Sequence, residues 1–238
     1  MKTRIDKLIS DNLCLSRKQV KSILSEGRVQ LDGKTVLKGE EKADENSLIT
    51  LDGKKISVSK YVYIMLNKPQ GVVSAGNDSR DVTVVDILPD DMKRKNLFPA
   101  GRLDKDTVGF VLLTDDGDFA HRILSSKNHV EKTYEARIEK NLSEDDIRKF
   151  EEGISFDDET QYLGAKCKMI GDRLAEVKIV EGKYHQIKRM FLSVGNRVLE
   201  LKRTKIGDLP LDETLKEGEA RYISPEELDM ITKNGYKL

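Results

Sequence analysis

Cysteine is nearly missing from this chain: Cys14 and Cys167 are the only two in 238 residues, far apart and without metal-ligand spacing. That argues against a disulfide-stapled fold or a zinc-cysteine site and fits a reducing compartment with two ordinary thiols. Net charge is missing as well, because 42 Lys and Arg are matched by 42 Asp and Glu. No apolar run reaches the roughly 20 residues needed to cross a bilayer, and MKTRIDKLIS has no signal-peptide core. Internal repeats and low-complexity tracts are absent. The three histidines, His121, His129 and His185, are scattered and form no ligand pattern. The expectation is a cytoplasmic protein with no membrane association.

What is present is a heavily charged globular composition, 37% hydrophobic and 35% charged. The charge is segregated. Residues 1–38 carry nine Lys and Arg (Lys2, Arg4, Lys7, Arg17, Lys18, Lys21, Arg28, Lys34, Lys38) against Asp6, Asp11, Glu26 and Asp32. Residues 183–205 carry Lys183, Lys188, Arg189, Arg197, Lys202, Arg203 and Lys205 against Glu200 alone. Residues 144–159 answer with eight acids against Arg148 and Lys149. Two basic zones on a neutral chain suggest a localised polyanion surface, although solvated helix faces give the same pattern.

RIDKLISDNL spaces Ile5, Leu8 and Ile9 as one helical face. In SRKQVKSILSEG, Ser16 and Gln19 make a capping box, Val20, Ile23 and Leu24 the apolar stripe, and Gly27 the stop. RVQLDGKTV and SLITLDGKKI read as short strands broken at Asp-Gly turns. The helix carries Arg17, Lys18 and Lys21 outside its stripe, and Arg28 follows its end, a surface suited to phosphates. RIDKLIS, LSRKQVKSILSEGRVQLDGK and LITLDG in that order resemble the S4 RNA-binding domain. The organisation expected is an S4-like domain over 1–56, a polar linker over 57–61 and a second domain over 62–238.

The second part alternates strand-like runs (YVYIMLNKPQG, LFPAG, GFVLLT, KTYEARI, LGAKCKMI, LAEVKIV, RVLELKRTKI) with helical patterns (DFAHRILSS, SEDDIRKFEEGI, YHQIKRMFLSVG, SPEELDMITKN). Strands often follow one another directly, so the fold class expected is α+β, with a mixed, largely antiparallel sheet flanked by helices. Within it, GRLDKDTVGFVLLTDDG sets Arg102, Asp104 and Asp106 before a run of apolar residues, where carboxylates are costly unless paired or hydrogen-bonded. On this fragment alone a structural loop is the simplest account. Asp104-x-Asp106-x-Val108 also matches a phosphatase loop that uses Mg²⁺, but that loop ends an apolar strand, whereas here the apolar run follows it.

The remaining blocks decide between these readings. GRLDKDTVG resembles the G-R-L-D-x-x-(T/S)-x-G signature of pseudouridine synthases. HVEKTYEARI supplies a Lys132-Thr133-Tyr134 motif, EGKYHQIKRMF a third, and YVYIMLNKPQG and VLELKRTKIGDLPLD also match. Five blocks in order after an S4-like domain resemble the RsuA-type synthases, which isomerise uridine in ribosomal RNA. The subgroup acting on 16S small-subunit RNA is nearest, with the 23S large-subunit enzymes as the alternative. A non-catalytic S4-type RNA-binding protein and an Asp phosphatase are the rivals from other classes.

The resemblance implies no cofactor and no metal, because the reaction is neither redox nor phosphoryl transfer. It implies ribosomal RNA as partner, within a small-subunit assembly intermediate, and no obligate protein partner. It assigns Asp104 as nucleophile, leaving open attack at C1′, attack at C6 or assistance to glycal formation. It assigns Tyr134 as the residue stacking on an extruded base, and Arg102 as the one filling the space the nucleotide leaves. Lys188, at the border of the stripe Ile187, Met190, Phe191 and Val194, is the counter-ion of Asp104. Arg189 and Lys183 join Arg17, Lys18, Lys21 and Arg28 as RNA contacts. Asp106 and the acids of TDDGD read as loop and helix-start residues, and His185 as a surface or RNA-contacting residue. Val108 and Phe110 depart mildly from the family pattern.

Overall fold

The computed structural model describes residues 2–13, 15–44, 47–56, 60–125, 130–156 and 161–232. Cys14, His129, the acids Asp157, Asp158 and Glu159, and linker residues 57–59 lie outside that set. The chain divides into two compact units, one of Met1–Val62 with Leu88–Leu97, the other of Tyr63–Ile87 with Phe98–Leu238. Residues 88–97, which the sequence patterns leave in the second part, thus pack with the first unit.

The first unit runs β1 (Thr3–Arg4), α1 (Ile5–Asn12), α2 (Arg17–Ser25), β2 (Val29–Leu31), β3 (Lys34–Thr35), β4 (Lys42–Ala43), β5 (Ile49–Leu51) and β6 (Lys54–Ile56). The capping box predicted for α2 is formed: the Gln19 amide donates to Ser16 Oγ, and the Ser16 amide donates to Gln19 Oε1. Gly27 closes the helix at a positive φ of 71°. Strands β3, β2, β5 and β6 pair antiparallel in that order. The stripes of both helices meet Val29, Val36 and Ile49 in one core, with Ile5, Ile9 and Val20 fully buried. Each such side chain contributes about 1.5–3 kcal/mol on burial.

The second unit runs β7 (Tyr63–Lys68), β8 (Phe98–Pro99), β9 (Val108–Thr114), α3 (Gly117–Leu124), β10 (Lys132–Ile138), α4 (Glu144–Glu152), β11 (Ile154–Ser155), β12 (Gln161–Tyr162), β13 (Lys166–Gly171), β14 (Leu174–Ile179), α5 (Gln186–Ser193), β15 (Val198–Ile206), β16 (Leu209–Pro210), β17 (Ala220–Tyr222) and α6 (Pro225–Thr232). Apart from β11 and β12, which pair with each other, its described strands form a sheet in the order β13-β14-β10-β15-β9-β7-β17, with β16 on β15 and β8 on β9. Only β15 and β9 pair in parallel; the other neighbours are antiparallel. This is the α+β arrangement with a mixed, largely antiparallel sheet.

Strand β9 is central, and Gly109 to Thr114 are all buried, which is why its sequence is apolar without alternation. Strand β14, covered on one face, alternates half-buried and buried residues instead. Three of the four predicted helices of this unit start on side-chain caps. Asp116 Oδ1 accepts from the Phe119 amide, Ser143 Oγ from Asp146, and Ser224 Oγ from Glu227. Only α5 begins differently, on His185 in a left-handed conformation with no side-chain cap. No helix among the described residues is long and apolar enough to cross a membrane.

Candidate active site

The loop 101–107 leads directly into β9, and the chain segment after β7 fixes it. Lys68, the last residue of β7, is fully buried and donates to the carbonyls of Pro69 at 3.1 Å, Lys105 at 3.3 Å and Thr107 at 2.8 Å. The Gly71 amide donates to the Lys105 carbonyl at 2.8 Å. Ser74 Oγ accepts from the Leu103 amide and donates to the Leu103 carbonyl, both at 3.0 Å. The block LNKPQG therefore acts as the clamp of the block GRLDKD. Where the loop joins the sheet, Gly109 has φ 99° and lies against the backbone of Arg203, and any Cβ there would collide with it.

Asp104 projects from this loop toward α5. Lys188 Nζ donates to Asp104 Oδ2 at 2.9 Å and to Asp106 Oδ1 at 2.6 Å. The acids at the start of β9 are thus paired across 84 residues of sequence with one ammonium. Burial opposes the charge of Lys188, but its hydrogen bonds to Asp106 and Asp104 outweigh this and raise its pKa. The hydrogen bond from Lys188 pulls Asp106 below the usual carboxylate range. Desolvation pushes Lys68, behind the loop, down to about 8, although the charges of Asp106 and Asp104 favour its ammonium.

Helix α5 delivers Lys188 because Ile187, Met190 and Phe191 are buried, which leaves the residue between them at the rim of the apolar face. The turn ahead of α5 is fixed by two polar side chains. Buried Glu181 accepts from the Leu163 amide at 2.9 Å and from Gln186 Nε2 at 2.8 Å, while Gln186 Oε1 accepts from the Lys183 amide at 3.1 Å. That turn carries His185 to within 3.5 Å (Nε2) of Asp104 Oδ1.

A cleft of about 410 Å³, open to solvent, lies over Asp104. Arg102, Thr107, Tyr134, Lys183, His185 and Lys188 line it with the apolar Leu103, Ile179, Ile187 and Leu201. Tyr134 enters from β10 and is only 7% exposed. Beneath it Arg203, from β15, donates from Nε to the Phe110 carbonyl at 2.7 Å and from Nη1 to the Tyr134 hydroxyl at 3.4 Å. Arg203 Nη2 and Thr107 Oγ1 are buried and have no hydrogen-bond partner among the described residues. Among those residues no group of three His, Cys, Asp or Glu side chains is arranged to hold a metal ion. A slot with an aromatic wall, a paired carboxylate and unused donors suits a planar polar molecule such as a pyrimidine nucleoside.

Of the residues singled out in the sequence, Asp104, Lys188, Tyr134, Arg102 and Lys183 meet at this cleft. Arg189 lies beside it, its guanidinium 5.0 Å from the Phe156 ring and 5.1 Å from the Tyr184 ring. Arg17, Lys18 and Lys21 stand exposed on α2 in the first unit. Arg28 differs from them, because it chelates Asp52 through Nε at 2.9 Å and Nη2 at 2.6 Å and also reaches Glu26. Sequence reasoning left Asp106 as a loop residue and His185 as a surface or RNA-contacting residue, and gave no role to Lys68, Thr107 or Arg203. The position of His185 inside the third motif was the available signal. Lys68 could have been noticed as a cation at the end of an apolar strand.

The profile of the RNA pseudouridylate synthase family matches residues 62–193, and that of the S4 domain matches residues 3–49. The chain is 43% identical over 235 residues to an uncharacterized RNA pseudouridine synthase of Bacillus subtilis (strain 168), covering 97% of this chain and 98% of that protein. It is 41% identical over 231 residues to the ribosomal small subunit pseudouridine synthase A of Vibrio parahaemolyticus, covering 96% and 99%. A crystal structure of a pseudouridylate synthase superposes with a TM-score of 0.68 at 36% identity, covering 96% of this chain and 99% of that one. The chain belongs to the RNA pseudouridine synthase family, preceded by an S4 domain.

Proposed function

We propose that the chain converts one specific uridine of 16S, small-subunit ribosomal RNA to pseudouridine, with Asp104 as nucleophile and the target nucleotide everted into the cleft. The choice of RNA is supported by relatives named ribosomal small subunit pseudouridine synthase A, at 38–41% identity over nearly full length. The observation that carries the mechanism is the 2.9 Å pair of Lys188 Nζ and Asp104 Oδ2 at a cleft walled by Tyr134.

Isomerisation breaks N1–C1′, turns the uracil and joins C5 to C1′. The chemistry needs a group that is anionic at neutral pH, holds an electron-poor intermediate and then leaves, which a carboxylate does. Lys188 stands as the counter-ion of Asp104 in a half-buried slot. A base inside folded RNA has to leave its stack to be reached, and Tyr134 offers it a ring. Arg102, exposed at the cleft, is placed to fill the vacated space. Arg17, Lys18 and Lys21 hold phosphates of the same RNA, and a small-subunit assembly intermediate in the cytoplasm is the substrate.

The test is Asp104→Asn. Tritium release from 5-³H-uridine in 16S RNA is expected to vanish while RNA affinity stays within about 3-fold, because the exchange removes one charge outside the phosphate-binding surface. Wild-type turnover by the variant would overturn the assignment. Carbodiimide mapping of 16S and 23S RNA, with and without the protein, reads which molecule gains the modification.

A further inference from the structure

We propose that Tyr184, backed by His185 and Arg189, is a stacking platform for the unpaired base next to the target uridine. This rests on the cleft accepting the target nucleoside and adds a second base site at its lip. Tyr184 is 69% exposed, the most open of the large apolar or aromatic side chains described. Its ring lies flat on the His185 imidazole, with centroids 3.8 Å apart and 19° between planes. The Arg189 guanidinium stands 5.1 Å from the same ring and 5.0 Å from the Phe156 ring, so its charge is held at the platform.

A lone exposed tyrosine needs no explanation; three features set this one apart. The chain neighbours of Tyr184 on either side, Lys183 and His185, line the cleft, so the platform begins where the cleft ends. The turn that carries it is fixed by Glu181 and Gln186 and by the left-handed His185. The ring is therefore held ready before RNA arrives, which lowers the ordering cost of binding. The surroundings are cationic, from Lys183 and Arg189, and suit the phosphates on either side of a stacked base. When the target nucleotide everts, its neighbour loses a stacking partner, and a ring at the lip replaces it. Stacking of this kind tolerates any base and favours the larger face of a purine.

The test uses the full-length protein and unstructured RNA nonamers with one central uridine among cytidines and 2-aminopurine on its 5′ or its 3′ side. Fluorescence quenching of one of these probes is expected on binding to wild type and to Tyr184→Phe, but not to Tyr184→Ala. The Kd for that probe should rise about 5- to 100-fold in Tyr184→Ala, the range of one lost base–aromatic stack. An abasic residue at the same place should make wild type and Tyr184→Ala bind equally. Equal quenching and equal Kd for wild type and Tyr184→Ala, or no quenching with wild type on either side, would overturn the platform. Failure of the cleft assignment reads separately, as absence of tritium release by wild-type protein from 16S RNA.

Discussion

The two basic zones look alike in the sequence and are put to different uses. On α2, Arg17, Lys18 and Lys21 are exposed and make no ion pair among the described residues. In the 183–205 zone the principal cations are engaged. Lys183 reaches the Gln161 carbonyl and Glu181, Lys188 two aspartates, Arg189 two rings, and Arg203 is 3% exposed under Tyr134. A cation in water contributes long-range attraction that salt screens, whereas one with fixed partners in a partly buried site controls protonation and geometry. Composition counts both zones the same way; only the partners separate them.

Lys188→Met is expected to give the largest difference between the zones. Without the ammonium, Asp104 and Asp106 lose the partner they share. We expect turnover to fall by about 100- to 1000-fold, the scale for losing a charge that supports a reacting group. Kd should stay within about 3-fold, and Lys188→Arg should recover part of the rate. Single-turnover tritium release beside anisotropy measures both. A variant that lost affinity and kept its rate would make Lys188 a phosphate contact of the kind proposed for α2.

The second expectation is the mirror image. Changing Arg17, Lys18 and Lys21 together to Gln should weaken RNA binding by about 10- to 100-fold at 0.1 M salt and reduce the slope of log K against log salt by about 2 to 3. The rate at saturating RNA should not change. An unaltered salt slope would remove α2 from the RNA surface.

Which parts were legible in the sequence follows from the range of the interactions. Capping boxes and apolar stripes act over three or four residues, so α2 could be placed from Ser16 and Gln19 and the stripe Val20, Ile23 and Leu24. The fully buried character of β9 was visible as an unbroken apolar run. The Asp104–Lys188 pair joins residues 84 apart, and no local pattern encodes that; it was readable only through the order of the motifs. Asp106 is the loop residue its sequence suggested, but its pairing with Lys188 was not readable, because a loop carboxylate looks the same in sequence whether or not it meets a distant ammonium. Arg203 was hidden in a basic strand, where alternation does not reveal that this one guanidinium turns inward under Tyr134. His185 was discounted for lying off the helix face, yet it is the residue before the helix, in a left-handed conformation that redirects it.

Lys68 carries a smaller expected effect and tests whether a buried cation behaves as the comparison requires. Lys68→Met leaves three carbonyls of the Asp104 loop without their donor, and turnover should fall by about 10-fold as the loop loses its fixed position. The pH dependence has a definite sign. Burial lowers the folded-state pKa to about 8 from 10.5. Between those values the unfolded chain holds the proton and the folded chain does not. Unfolding free energy of wild type relative to Lys68→Met should therefore rise as pH climbs from about 8 to 10.5, with a flat difference below. Urea titrations of the two proteins at four pH values in that range measure the slope. A flat difference throughout would mean that Lys68 keeps its proton and is better solvated than its position implies.

Arg28→Gln should have the smallest effect and draws the comparison most finely, because Arg28 belongs to the basic zone of the first unit by sequence and to the engaged class by structure. Its guanidinium already faces two carboxylates, Asp52 and Glu26, so its positive charge is more than offset locally. Arg28→Gln should change Kd by less than about 2-fold, and exposed pairs of this kind add little to stability. Asp52→Asn should do the opposite of a structural lesion: it removes one of the two carboxylates facing Arg28 and tightens RNA binding by about 2- to 5-fold at low salt, an advantage that fades as salt screens it. If Arg28→Gln instead weakened binding as strongly as the loss of Arg17 or Lys18, pairing with a carboxylate would not distinguish the two kinds of cation, and the division between the zones would have to be drawn by exposure alone.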